Sequence, residues 1–374
     1  MEKFIELIKD MHDECYERVF EKIVSERIPV AMFSVTDPQN ALQTAKKAKF
    51  NVSHFITLPE IEDSEAQFKI ISFHDAIRQH FRPEYIFALT QLDTRFAAKN
   101  FPSSKVIFPE RDDTQKIYDS FMSNLPALKK FYDTLIDEES RKTFRGYWLG
   151  NVSNQLCKLH HSKNPHYMTP GFIPERGAIV IDGGSYDGGT CLRFTERGYK
   201  VYGFELDKNL FKYAAELAEQ KNFVVENVGL GSYRHEVKYM PLNGGATHID
   251  DYGSESAQVI TLDEYVREKN LPRVDFIKLD VEGSELEVLK GAATTITRFK
   301  PILALSAYHK LEDFWTLMDF VKELNPAYEF ALRQYHVSVE DEPFAVGEEF
   351  LKDLEILELE PWYKFYGECV LLAR

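Results

Sequence analysis

IDGGSYDGGT, residues 181–190, decides how this chain is read. An apolar run, AIVI (178–181), leads into it and ends at Asp182, so the stretch reads as a strand followed by a glycine turn. Gly183, Gly184, Gly188 and Gly189 let the backbone turn tightly and approach a ligand that side chains would obstruct. A second strand, VYGF (201–204), ends at Glu205, 23 residues after Asp182. That distance fits one strand–helix–strand unit, with the second acid placed to hold the two hydroxyls of a ribose. IKLDVEGSE (277–285) reads as a third strand end of the same nucleotide-binding sheet.

The spacing Asp182-x-Gly184-x-x-x-Gly188 is not the dinucleotide fingerprint G-x-G-x-x-G. An acid opening the loop suits a cationic or neutral ligand better than a pyrophosphate. S-adenosylmethionine, with a sulfonium, an ammonium, a carboxylate and a ribose, has the matching chemistry.

With IDGGSYDGGT, FELDKN (204–209), ENVGLG (226–231), ITLDEYV (260–266), FIKLDVEGSELEVLKGA (276–292) and LSAYHK (305–310), the chain resembles the FkbM-type S-adenosylmethionine-dependent methyltransferases. The resemblance covers roughly Gly177 to Arg374, and IKLDVEGSE followed by LKGA is its most specific part. Two departures stand out: Gly183-Gly184-Ser185 where the family has a single glycine or alanine, and LSAYHK in place of the commoner acid-x-His form. The resemblance implies a seven-stranded doubly wound Rossmann-like methyltransferase sheet with an antiparallel final strand. It also implies methylation of a hydroxyl on a sugar, glycan precursor or secondary metabolite.

Site residues are expected at the carboxyl ends of the strands, where such sheets form their crevice. Asp182 is placed to anchor the methionine ammonium, directly or through water. The turn of Gly183, Gly184, Ser185, Asp187 and Gly188 lines the methionine and ribose, and Glu205 with Leu206 takes the ribose. Either acid could instead be a solvated loop residue or a helix cap. Asn227 and Val228, after the third strand, lie where the adenine is expected, although Asn227 could simply start the turn. Asp280 and Glu282 face the acceptor and could orient a hydroxyl or take its proton, or serve as N-terminal helix acids. Ser284 and Glu285 are read as stabilising the first turn of that helix. Lys278, inside an apolar strand, is expected to pair with a carboxylate. His309, next to Tyr308, is the preferred general base because an ordinary imidazole is neutral often enough at pH 7. His336 is a second candidate, and Trp362, Tyr363 and Tyr366 form either an acceptor wall or core packing.

Composition narrows the classes. At 374 residues and 44% apolar content the chain can build two domains, and a net charge of −15 disfavours nucleic acid as a partner. No run of about 18 apolar residues predicts a membrane span. The charged start, MEKFIELIKDMHDECYERVFEKIV, reads as an amphipathic helix rather than a secretory signal. Cys15, Cys157, Cys191 and Cys369 have neither metal-ligand spacing nor disulfide density, so a reducing cytoplasm is the expected setting. No carboxylate or imidazole cluster can be localised for a metal, and His160, His161 and His166 read as a solvated loop.

Residues 1–110 read as a small α/β domain with strands in IPVAMFSV (28–35), VSHFITL (52–58), KIISF (69–73), YIFALT (85–90) and KVIF (105–108). The turn after its first strand, SVTDPQN (34–40), lacks glycine, so its ligand site reads as degenerate. Such a domain serves as a scaffold, a substrate platform or the surface of a homo-oligomer. Residues 111–176 read as a helical linker or cap, and 177–374 as the methyltransferase domain, with a hairpin insert over 235–262. The tip of that insert, Gly244-Gly245 and Asp250 to Gly253, is either an exposed turn or a substrate cover.

Three other readings are weighed. An NAD-type oxidoreductase needs the dinucleotide spacing and a Tyr-x-x-x-Lys dyad. A nucleic-acid methyltransferase usually carries an Asn or Asp-Pro-Pro-aromatic motif or a Pro-Cys nucleophile where this chain has LDVEGSE. A non-catalytic cofactor-binding module also remains open at this point.

Overall fold

The computed structural model describes residues 1–13, 16–35, 37–58, 61–107, 114–153, 158–240, 248–249, 252–336 and 367–374. Within these limits the chain divides into two compact units, one of residues 1–125 and 142–160, the other of 126–141, 161–336 and 367–374. The segment read as a linker, 111–176, is therefore not an element of its own. Its stretches 126–141 and 161–176 belong to the second unit.

The first unit opens with helices α1 (Glu2–Asp13) and α2 (Tyr16–Glu26) and continues as β1 (Val30–Ser34), α3 (Pro38–Lys47), β2 (Val52–Thr57), β3 (Lys69–Ser72), α4 (Phe73–Arg78), β4 (Tyr85–Ala88), α5 (Gln91–Asn100) and β5 (Lys105–Ile107). Each strand falls inside one of the five apolar runs. They pair in parallel in the order β3-β2-β1-β4-β5. All five residues of β1 are buried, because successive side chains serve opposite faces. Ala31 and Phe33 join Ile56 and Ile86 on one face, while Val30 and Met32 join Phe55 and Phe87 on the other.

In a sheet of this order, a ligand crevice belongs between the carboxyl ends of β1 and β4. Here Asp93, from the first turn of α5, fills that role from within the chain. Its carboxylate, fully buried, accepts the N–H of Val35 at 2.8 Å, the first residue after β1. Asp37 caps the glycine-free turn by accepting the N–H of Asn40, with Pro38 opening α3.

Three helices follow: α6 (Thr114–Ser123), α7 (Leu125–Thr134) and α8 (Glu138–Val152). The second unit then runs β6 (Ile179–Gly183), α9 (Gly189–Glu196), β7 (Lys200–Phe204), α10 (Lys208–Lys221), β8 (Val224–Glu226), β9 (Gly229–Leu230), β10 (His235–Met240), β11 (His248–Ile249), β12 (Glu255–Ile260) and α11 (Leu262–Glu268). It ends with β13 (Phe276–Leu279), α12 (Glu285–Gly291), α13 (Ala293–Phe299), β14 (Ile302–Ser306), α14 (Asp313–Leu324), β15 (Phe330–His336) and β16 (Gly367–Ala373). Seven strands form one sheet in the order β15-β16-β14-β13-β6-β7-β8, with β16 antiparallel to both neighbours. Strands β9 to β12, the region read as a hairpin insert, make a separate four-stranded sheet in the order β11-β10-β12-β9. Its predicted tip lies largely outside the described residues, and Tyr252, within it, is 91% exposed.

Strand β6 lies between β13 and β7 in parallel register, Gly183 opposite Leu279 on one side and Phe204 on the other. The strand order reverses there, which puts the second unit's crevice beside the glycine turn. Buried Arg333 of β15 anchors α8: its guanidinium donates to Asp137 at 2.8 Å and to Ser140 at 2.7 Å.

The Asp93 contact yields a stability test. Asp93→Ala leaves the Val35 N–H unpaired in the interior, and thermal and urea melts should register a loss of about 1–3 kcal/mol. Asp93→Asn, which keeps an accepting oxygen, should recover most of it.

Candidate active site

The glycine turn is held from two sides. Gly184 adopts φ +76°, and a Cβ on it would lie 1.8 Å from the carbonyl oxygen of Asp280, so only glycine lets the two strand ends come this close. Gly188 adopts φ +88° and caps α9. The N–H groups of Gly184 and Ser185 both donate to the Phe204 carbonyl at 3.0 Å, which satisfies the turn from β7.

Lys278 is buried in β13 and reaches across to the turn. Its Nζ lies 3.0 Å from Asp182 Oδ1 and donates to the carbonyl of Gly184 at 2.6 Å. Asp182 is the carboxylate that Lys278 was expected to find. Against the cost of burial, Asp182 and Asp280 push the ammonium's pKa up, so Lys278 stays charged. Asp182 also accepts from Cys191 Sγ at 3.2 Å and has 0% exposure. Asp182, expected to anchor a methionine ammonium directly or through water, is met by Lys278 and Cys191 and supports the turn from inside.

Glu205 clasps the other side. One carboxylate oxygen accepts the N–H of Tyr186 and the other that of Asp207, each at 2.8 Å. Burial lifts its pKa to about 7, opposed by those two N–H groups. The rest of the expected cofactor set is placed as follows. Ser185 is 2% exposed and faces Gly203 of β7, so its hydroxyl is turned inward. Asp187 is exposed and accepts the N–H of Gly189 at 2.9 Å, as a turn residue at the start of α9. Asn227 donates to the carbonyls of Glu205 at 2.9 Å and Leu206 at 3.2 Å, fixing the ends of β7 and β8 together. Leu206 and Val228 are half-buried beside it.

The expected acceptor residues converge. His309 Nε2 lies 3.6 Å from Asp280 Oδ1 and 3.5 Å from Glu282 Oε2. Its Nδ1 lies 2.9 Å from Glu285 Oε1. Tyr308 donates its hydroxyl to Asp280 at 3.0 Å. Glu282 sits at φ +53°, an unusual conformation for a non-glycine residue, just before Gly283 at φ +89°.

Electrostatics separates these groups. Burial raises the pKa of Glu282 to about 7; His309 opposes this, while Asp280 and Glu285 add to it. Burial and the charge of Glu368 also raise Asp280, against Lys278 and His309. Burial opposes the charge of His309, yet the hydrogen bond to Glu285 and the charges of Glu285, Asp280 and Glu282 lift it to about 9. At neutral pH the ring therefore carries its proton. The ordinary imidazole value behind the expected general base is raised here by these surrounding acids.

Several residues at this strand end were not singled out in sequence. Glu368 of β16 pairs with His166 at 2.8 Å and accepts the hydroxyl of Tyr167 at 2.8 Å. Burial opposes its charge, but His166 and Tyr167 hold it well below the usual carboxylate range. His166 is thus paired with a carboxylate, not solvated. The one available signal was a lone acid opening an otherwise apolar strand, ECVLLA. Glu285, read as a helix acid, is wholly buried and serves His309 instead. The fold also gathers what the sequence could not localise: single ligand-type atoms of Asp280, Glu285 and His309 lie within 4.8 Å of one another. His336 ends β15 opposite Gly367, whereas Trp362, Tyr363 and Tyr366 lie outside the described residues.

The family model described as the methyltransferase FkbM domain matches residues 182–332, from the acid below the glycine turn into β15. Residues 182–332 are thus similar to the FkbM methyltransferase domain. Among curated relatives, the hexuronic acid methyltransferase AglP of Haloferax volcanii is 29% identical over 128 residues, 33% of this chain and 53% of that protein. The chain thus spans about half the length of that relative. The 2-O-methyltransferase NoeI of Sinorhizobium fredii is 20% identical over 205 residues, 48% of this chain and 84% of that one. The crystal structure of methyltransferase FkbM from Methylobacillus flagellatus covers 94% of this chain and 92% of its own at a TM-score of 0.60 and 17% identity. That likeness is one of fold, and it extends over the N-terminal α/β region as well.

Lys278→Ala strands the Asp182 carboxylate in the interior of the FkbM domain. Urea unfolding should show a loss of about 3–5 kcal/mol, and the paired change Lys278→Met with Asp182→Asn should recover much of it.

Proposed function

We propose that this chain is an S-adenosylmethionine-dependent O-methyltransferase that acts on a hydroxyl of a sugar or glycan precursor. The observation that carries the reading is the juxtaposition of a glycine turn clasped by Glu205 with an acidic, partly solvated strand end at Asp280 and Glu282. The cofactor's chemistry fits the first part. A carboxylate has about four accepting positions, and Glu205 uses two on backbone N–H groups, which leaves capacity for ribose hydroxyls. Gly184 removes the side chain that would fill the approach to the turn. In this reading the turn of residues 183–188 lines the methionine and ribose, and Leu206, Asn227 and Val228 border the adenine. The names of two relatives, a hexuronic acid methyltransferase and a 2-O-methyltransferase, support a carbohydrate hydroxyl as acceptor.

S-adenosylmethionine, when bound, supplies a methyl group already activated by the adjoining sulfonium. The chain's task is to orient the acceptor hydroxyl and receive its proton. Asp280, fixed by Tyr308, is the orienting acceptor of the hydroxyl's hydrogen bond. Glu282 is the base: it is 33% exposed, and its pKa of about 7 matches it to proton transfer near neutrality. His309 remains protonated and stabilises the two carboxylates between which its Nε2 lies.

Two measurements test this. In thermal-shift assays S-adenosylhomocysteine should raise the melting temperature and NAD should not; a larger shift with NAD overturns the cofactor assignment. The pH–rate profile should rise as Glu282 loses its proton near pH 7 and fall as His309 loses its own near pH 9. Glu282→Gln should lower kcat by about 100-fold or more, within the range of general-base contributions, and abolish the acid limb. A profile unchanged in that variant removes Glu282 from the proton's path.

A further inference from the structure

Glu285 is the most deeply placed group of the acceptor side, and no step of the proposed reaction uses its carboxylate. It is 0% exposed at the first position of α12. Its Oε1 accepts the N–H of Val281 at 3.0 Å and of Gly283 at 3.4 Å, the two residues that flank Glu282, as well as His309 Nδ1 at 2.9 Å. A carboxylate fixed by backbone donors has little freedom, and a ring bonded to it inherits that constraint. Because an ionised carboxylate can only accept, the Nδ1 of His309 must carry a hydrogen. The other ring nitrogen then projects to Asp280 and Glu282 at 3.6 and 3.5 Å, beyond direct hydrogen bonding but well within charge attraction.

We propose that Glu285 is a positioning residue that holds His309 as a built-in cation, with Nδ1 engaged and Nε2 turned to Asp280 and Glu282. The proposal deepens the reading of that strand end as the acceptor side and rests on it for its catalytic meaning. Charge reaches the ring from Asp280 and Glu282 in the turn after β13, from Glu285 in α12 and from Asp313 at the start of α14, while Lys310 beside it is a cation facing Asp313 and Tyr308 is a neutral hydroxyl on Asp280. Among the described residues the acids there outnumber Lys278 and Lys310, so the cluster favours a further positive charge. A divalent cation is the competing way to supply it, since Asp280, Glu285 and His309 offer ligand-type atoms within 4.8 Å. Glu285 Oε1, however, already receives three N–H donors, which leaves only its buried Oε2 to a metal, and a metal on Nε2 would have to replace the ring proton. The arrangement of Glu285 around Nδ1 places the imidazolium where a metal's charge would otherwise act.

The test is a side-chain NMR titration of the full-length protein labelled with nitrogen-15, without cofactor or acceptor. His309 is assigned by the signal lost in His309→Gln. The proposal expects both ring nitrogens of His309 to stay protonated at about pH 8, and the midpoint to fall by about one unit, tenfold in proton affinity, in Glu285→Gln. A wild-type midpoint at or below the ordinary 6.5, or one unmoved in Glu285→Gln, overturns it. So does a stoichiometric shift or broadening of the His309 signals on adding Mg²⁺ or Mn²⁺, which would assign the site to a metal. If Glu285→Gln does not fold, the wild-type midpoint and the metal titration decide alone. Failure of S-adenosylhomocysteine to bind would count against the functional reading and leave this titration's outcome intact.

Discussion

The buried pair of Lys278 and Asp182 is the constraint on which the second unit's site rests. The two side chains are 3% and 0% exposed, and the ammonium also reaches the Gly184 carbonyl. An unpaired charge at that depth costs several kcal/mol, far more than an exposed ion pair contributes. The pair therefore behaves as one unit that neither partner can leave. It joins β13 to β6 just where their ladder ends, at Leu279 opposite Gly183, and beyond it the two strand ends diverge into a helix and a turn. The turn's position against Asp280 follows from that staple. So does the requirement for glycine at 184, because the same closeness leaves no room for a Cβ.

On the acceptor side, chemically identical groups are driven apart by their partners. Four carboxylates gather near the end of β13, and each meets the same penalty for leaving water. Glu285 and Glu368 are held low because each has a histidine and further donors at hydrogen-bond distance. Asp280 and Glu282 have their histidine at a greater distance and are raised. Hydrogen-bond geometry, more than depth, sorts them: Glu285 is the most buried and is still ionised.

Much of this was legible in the sequence for a definite reason. The strands are short, apolar and bounded by turn residues, and a parallel sheet buried on both faces writes that pattern strongly. Hence the five runs of the first region, and those ending at Asp182, Glu205 and Asp280 in the second, could be placed to within a few residues. Strand-end acids were equally visible, since Asp182, Glu205 and Asp280 each terminate such a run. What spacing could not convey was direction. Asp182 and Ser185 sit in the turn as expected but point inward, one to Lys278 and one to Gly203. Long-range partners were also hidden: Glu368 and His166 lie 202 residues apart in sequence and meet only because β16 inserts between β14 and β15. The protonation of His309 depended on Glu285, whose role as a helix-start acid was the simpler reading of SEL. The division of 111–176 between two units followed from tertiary packing that a helical pattern does not encode.

The two parallel sheets offer a comparison within one chain. Both reverse their strand order beside their first strand, and both place a helix after the turn there. In the first, the turn has Pro38 and no glycine, and the Val35 N–H is satisfied by Asp93 from the far side of the reversal. There a fully buried side chain satisfies the backbone at the reversal. In the second, the Gly184 and Ser185 N–H groups are satisfied by the Phe204 carbonyl of the neighbouring strand, so no side chain need enter. Positive φ at Gly184 makes that backbone-to-backbone solution accessible where the chain turns beside β7. Glycine thus matters here for more than room. It decides whether a turn's own hydrogen bonds are met by main chain or by a side chain, and only the former leaves a strand end available for chemistry.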